Sequence, residues 1–230
     1  MSFMQLRMAF KKTGMIKFIS HLDTIRVFNR AIQRSGVPIL WSEGFNPHQK
    51  LSIAQPLSVG MESEFEVMDL EVEDGSDPEV IKNKLNEALP KGIVIIEATA
   101  DFDPTSVFER IAKTRYRFFF PSAYYDGVDE LKALAEKAMA QEEILVRRRK
   151  KKGKRRIVVE EDIKDGIFSL DWKEEEGGTS LYAVLRAGGN GNLRPDRFLT
   201  GLFEAEGVDI DYIQIRRIKS WDGEDHEVRL

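Results

Sequence analysis

The first hundred residues change hydrophobic period in an order that few folds accommodate: strand, helix, strand, strand, helix, strand. Met1-Ser-Phe-Met-Gln-Leu-Arg-Met-Ala-Phe10 alternates apolar and polar residues, as a half-buried strand does. Ser20-His-Leu-Asp23 follows as a helix start, with Ser20 able to cap and Asp23 standing where a capping box has Glu. The helix is expected to reach about Gly36 before Pro38 blocks it. At 100° per residue it puts Leu22, Ile25, Phe28 and Ile32 on one side and Arg26, Arg30 and Arg34 on the other. Strands are expected at 51–57 and 64–73. Asp77-Pro78 opens a helix to about Leu89. The uninterrupted apolar run 92–98 predicts a buried strand.

That order, β-α-β-β-α-β, is the ferredoxin-like arrangement. The second half repeats it by element order, although no fixed-period identity links the halves. Strands are expected at 114–120, 144–149, 167–172, 180–186 and 210–218, with helices at 128–140 and 195–203. The fold class is therefore α+β: two tandem ferredoxin-like halves, 1–105 and 112–222, with a basic hairpin at 147–159 inserted in the second.

The hydrophobic fraction of 42 % and charged fraction of 32 % are those of a chain that buries a core. Its apolar runs are too short to span a bilayer, and its N-terminus lacks the layout of a secretory signal, so no membrane contact and a cytoplasmic location are expected. With no cysteine there is no disulfide, thiolate zinc site, iron–sulfur cluster or cysteine nucleophile in this chain. His21, His48 and His226 are its only histidines, so no metal site is expected. The net charge of −4 conceals an asymmetry: Arg147, Arg148, Arg149, Lys150, Lys151, Lys152, Lys154, Arg155 and Arg156 form a block interrupted only by Gly153. An acidic protein with one basic finger suits local contact with a polyanion. The alternative is neutralisation by the nearby Glu160, Glu161, Asp162 and Asp165.

Two segments carry candidate chemistry. His21 stands at a helix N-terminus, where free N–H groups favour an anion. Trp41 to Lys50 (WSEGFNPHQK) sets Trp41 and Phe45 beside His48 and Lys50, combining stacking surface, phosphate donor and imidazole as RNA contacts require. His21, His48 and Lys50 are thus catalytic candidates, and Trp41, Phe45, Arg26, Arg30, Arg34 and the basic block are binding candidates. The plain alternative is that the aromatics plug the core and the arginines are solvated. Gly188-Gly-Asn-Gly191, leading into Leu-Arg-Pro-Asp196, is either an ordinary hairpin-to-helix connection or a glycine loop that can approach phosphate, with Arg194 or Arg197 adding charge. It lacks dinucleotide and P-loop spacing.

The run Gly14 to Gly60, with FISHLD, NRAIQRSG, SEGFNPHQKLS and PLSVG, resembles the radical SAM-linked protein family of bacteria, and the resemblance extends through the basic segment and LRPD. In that family the domain stands alone or is fused to a B12-binding radical SAM module. The resemblance implies a radical SAM protein as partner, with S-adenosylmethionine, the iron–sulfur cluster and B12 held by the partner. This chain has no CxxxCxxC motif, so it would be the accessory part, presenting RNA such as tRNA or rRNA. The order of elements is also similar, at fold level only, to that of CRISPR repeat-processing endoribonucleases. Three readings stand: an RNA-holding module, a protein-interaction subunit using the basic hairpin, and a metal-independent endoribonuclease using His21 or His48 with Lys50.

Overall fold

In chain order the elements are β1 (Phe3–Lys12), α1 (His21–Ser35), β2 (Leu51–Ile53), β3 (Glu62–Glu73), α2 (Pro78–Ala88), β4 (Ile93–Thr99), the single turn α3 (Val107–Arg110), β5 (Lys113–Pro121), α4 (Val128–Ala140), β6 (Leu145–Lys152), β7 (Arg155–Asp162), β8 (Ile167–Glu175), β9 (Gly178–Arg186), α5 (Pro195–Leu202) and β10 (Gln214–Trp221). The structure is a computed structural model that describes residues 2–125, 127–152, 155–189 and 191–230, with the side chains of 149–152 and 155–156 outside that description. The chain is a mixed α and β protein. It divides into one unit of Met1–Ile111 with Arg216–Leu230 and another of Ala112–Ile215. The final segment thus clusters with the first unit, whereas the sequence reading carried the second half to residue 222. The reason is the register of β10, whose Arg216 and Arg217 run parallel to Glu62 and Ser63 of β3.

In the first unit β1 lies between β4 and β3, antiparallel to both, and β2 pairs with the Met68–Leu70 stretch of β3. Alternation puts Leu6, Met8 and Phe10 of β1 and Met68, Leu70 and Val72 of β3 into one buried cluster with Phe28 and Ile32 of α1 and Ile81 and Leu85 of α2. Each such side chain contributes about 1.5–3 kcal/mol on leaving water. Phe10 meets Phe28 edge to face at 4.9 Å.

Helix α1 begins as its sequence dictates: Ser20 Oγ accepts from the Asp23 N–H at 3.1 Å and donates to the Asp23 carboxylate at 2.6 Å. It ends on Gly36 at φ 65°, a conformation that costs glycine little. Asp77 caps α2 in the same way, with Pro78 at its first position. Three details differ from expectation. Leu22 points outward and Thr24 and Ala31 take its share of the core face. The strand expected at 51–57 pairs only over Leu51–Ile53. β4 buries Ile93 and Ile95 but exposes Val94 and Ile96, because one of its faces has no cover.

In the second unit β9 pairs antiparallel with β5 and with β8. Phe118, Phe120, Leu181, Ala183 and Leu185 meet Leu131 and Ala135 of α4 and Phe198, Leu199 and Leu202 of α5. β6 and β7 form a two-stranded sheet of their own, in register from Leu145 opposite Asp162 to Lys152 opposite Arg155. Its base is anchored where Ile144, Val146 and Ile163 press on α5. Gly201 makes room there, since a Cβ at that position would lie 2.7 Å from Ile163 Cδ1. Among the described residues no helix is long and apolar enough to cross a membrane.

Candidate nucleic-acid interface

The 41–50 segment is a closed loop rather than a core plug. Ser42 N–H donates to the His48 carbonyl at 2.8 Å, His48 N–H donates to Ser42 Oγ at 3.0 Å, and the same oxygen lies 2.8 Å from His48 Nδ1. Trp41 and Gln49 form an antiparallel bridge below this staple. Gly44, at φ 114°, lets the chain reverse at the tip. Phe45, beside it, is fully exposed, and Trp41 is half exposed. The expectation of stacking surface here therefore meets two rings open to solvent. Lys50 is committed: its Nζ lies 2.5 Å from Glu71 and 5.4 Å from the ring centre of Phe3.

The neighbouring Gln49 was not singled out by sequence. It is buried, and neither its Oε1 nor its Nε2 has a hydrogen-bond partner among the described residues. An amide left so costs about 1–3 kcal/mol. Gln49 lines a cavity of about 290 Å³ with Gln5, His48, Lys50, Ser52, Asp69 and Glu71.

His21 lines a different cavity, of about 10 Å³, the size of one water, with Lys12, Thr24 and Glu66. The two catalytic candidates His21 and His48 therefore do not share a site. Around His21 lies a buried ionic group that the sequence reading missed. Lys12, Glu66 and Arg217 are each at most 5 % exposed. Lys12 Nζ donates to the Ile19 carbonyl at 3.0 Å. Burial holds the Lys12 ammonium below its usual range, against the opposing pull of the Glu66 charge. Strand parity carries the signal: Lys12 continues the inward series Leu6, Met8, Phe10, and Glu66 precedes Met68, Leu70, Val72.

The remaining cation candidates divide. On α1 Arg26 pairs with Asp23 at 2.7 Å and Arg34 donates to the Ala88 carbonyl at the end of α2, while Arg30 is exposed with no ion-pair partner among the described residues. Arg194 grips Asp196 through two bonds of 2.9 Å. The cavity beside the glycine loop is lined by Arg186 as well as by Glu161 and Asp162, and Glu161 is already paired with Arg148 at 2.7 Å and Arg197 at 2.9 Å. Asn190 of that loop lies outside the described residues.

The basic block forms the upper part of the β6–β7 hairpin. At its base neutralisation prevails: Arg147 pairs with Glu160 at 3.1 Å and Arg148 with Glu161 at 2.7 Å. Above that the register changes the company, placing Arg149 opposite Val158, Lys150 opposite Ile157, Lys151 opposite Arg156 and Lys152 opposite Arg155. Like charges directly opposite destabilise a ladder. Lys154 lies outside the described residues, as do the side chains of Arg149, Lys150, Lys151, Lys152, Arg155 and Arg156.

No curated protein matches the sequence. A crystal structure of a Cbf5-Nop10-Gar1 complex contains a chain similar to this one at 11 % identity and a TM-score of 0.45, over 94 % of this chain and 50 % of that one. The present chain thus spans half the length of that structural relative. Residues 5–195, which include the stapled loop, the buried ionic group's Lys12 and Glu66, and the basic hairpin, match the sequence model described as "uncharacterized protein conserved in bacteria (DUF2344)", and the chain belongs to that family.

Proposed function

We propose that this protein is an accessory module that holds RNA, such as tRNA or rRNA, for a separate radical SAM enzyme. The observation that carries the RNA reading is the register of the hairpin, which sets cation opposite cation at Lys151–Arg156 and Lys152–Arg155 with no carboxylate across from Arg149 or Lys150. A polyanion relieves that repulsion and gives the arrangement a use. The stapled loop adds exposed rings that bases can stack on. The family resemblance of FISHLD and SEGFNPHQKLS supplies the partner: a radical SAM protein that carries S-adenosylmethionine, B12 and the iron–sulfur cluster, the last of which a cysteine-free chain cannot ligate by thiolate. The fold belongs to the same reading, as two successive β-α-β-β-α-β copies, the second interrupted by the hairpin.

The test is equilibrium binding of the purified chain to single-stranded and structured RNA across a salt series. Affinity should fall by orders of magnitude between about 50 and about 200 mM salt. Binding to no RNA, or binding indifferent to salt, removes the reading. A second reading, a protein-interaction subunit, is favoured by one observation, the complete exposure of Phe45 on a stapled loop, since a rigidly presented aromatic is a common anchor at protein interfaces. Copurification of a partner protein free of nucleic acid would decide for it.

A further inference from the structure

Strand β4 stands at the end of its sheet: among the described residues it pairs with β1 and with no other strand. Its sequence suits further pairing. Gly92-Ile-Val-Ile-Ile96 carries no charge and no proline, the composition of segments that recruit additional strands. Val94 is 49 % and Ile96 38 % exposed, so a strand added beside β4 would cover apolar surface as well as pair backbone groups. β4 of a second copy of this chain fits that place. Two antiparallel copies related by a two-fold axis at Ile95 would set Val94 of each opposite Ile96 of the other, apolar against apolar.

Asn86 of α2 stands in the way. Its side-chain nitrogen donates to the Ile95 carbonyl at 2.9 Å, and its side-chain oxygen accepts from the Ile95 N–H at 2.8 Å. In an antiparallel ladder the N–H and C=O of one residue point the same way, so both Ile95 groups are directed from β1 toward the open edge. A primary amide placed there offers one donor and one acceptor, as the backbone of a neighbouring strand does. At Ile93 the N–H is taken by the Pro90 carbonyl at 3.2 Å. Helix α2 gains nothing from asparagine in its interior, where that side chain competes with the helix backbone. We infer that Asn86 closes the β4 edge against a second copy of this chain, and that by occupying the Ile95 backbone groups it keeps the protein from associating with itself through β4. This role does not depend on RNA.

Sedimentation velocity of the full chain over a concentration series is the test. The wild type should remain a monomer. Asn86→Ala should associate with itself more tightly by roughly tenfold or more, because the freed Ile95 groups of two copies can then bond one another. Adding Val94→Lys to Asn86→Ala should restore the monomer, since a lysine on an edge strand opposes pairing. Should Asn86→Ala not fold, hydrogen exchange at the wild-type Ile95 amide decides: it should be slow in the dilute monomer. An Ile95 amide that exchanges as fast as an unpaired edge amide overturns the inference. So does a folded Asn86→Ala that loses stability yet stays monomeric, which would leave Asn86 a helix-to-strand contact and nothing more. Self-association that persists with Val94→Lys, or a wild type already paired through β4, overturns it as well.

Discussion

Arg217 Nη1 lies 2.7 and 3.0 Å from the two carboxylate oxygens of Glu66, with both side chains almost wholly buried. The pair joins residues 151 positions apart and ties the last strand to β3 in the interior of the first unit. A buried pair of this kind is worth little against an apolar replacement, but losing one partner strands the other charge. Glu66→Gln should therefore destabilise the protein by about 3–5 kcal/mol in urea unfolding. Glu66→Leu with Arg217→Met should recover most of that loss, less a residue from Lys12, which draws on the same carboxylate. A Glu66→Gln variant as stable as wild type would falsify this account of how β10 is held.

The hairpin prediction concerns slope rather than affinity alone. Each phosphate contact to single-stranded RNA adds about 0.7 to the dependence of log K on log salt. Replacing Lys150, Lys151 and Lys152 with Gln should lower that slope by up to about 2 and weaken all RNA sequences alike. The fold should be unaffected or slightly more stable, since at Lys151 and Lys152 the substitution removes like charges set opposite one another. An unchanged slope would move RNA contact away from the hairpin.

Element order was readable from the sequence because period and caps are local properties: Ser20, Gly36, Asp77 and Pro78 act within one turn of where they stand. The exposed face of β4 was not readable, because Val94 and Ile96 look like core until the neighbouring elements are known to cover only the Ile93 and Ile95 side. The candidate site split in the same way. The stapled loop announced itself through Gly44, Pro47 and two aromatics. Gln49 did not, because an unsatisfied amide is a statement about what surrounds it. Glu66 was readable in principle from parity alone, but its partner Arg217 is supplied by the far end of the chain.

The staple has its own test. Ser42 Oγ serves both the backbone N–H and the imidazole of His48, so Ser42→Ala removes two contacts at once. The loop should open more readily, by about 1–2 kcal/mol, and the His48 amide should exchange its hydrogen correspondingly faster. Global unfolding should change little, because residues 43–48 at the tip of the loop are exposed. RNA binding should weaken with the loss of a preformed loop. Unaltered exchange at His48 would show that the chain from Trp41 to Gln49 is held closed by other means.

Tyr125 gives a pH dependence with a definite sign. Its hydroxyl donates to the Asp209 carbonyl at 2.6 Å and its ring meets Phe120 edge to face at 5.3 Å. Burial, with the negative charge of Asp209 acting in the same direction, pushes its ionisation from 10.0 up to about 12. The folded protein thus keeps a proton that the unfolded chain gives up. Stability from this group is fully present below pH 10.0 and is lost as pH rises from there through about 12. Tyr125→Phe should cost about 1 kcal/mol at neutral pH through the lost hydrogen bond. It should lack the alkaline decline, so that urea unfolding free energies of variant and wild type converge across that window. Parallel curves throughout would mean that the Tyr125 hydroxyl is solvated in the native state and that its bond to Asp209 contributes nothing.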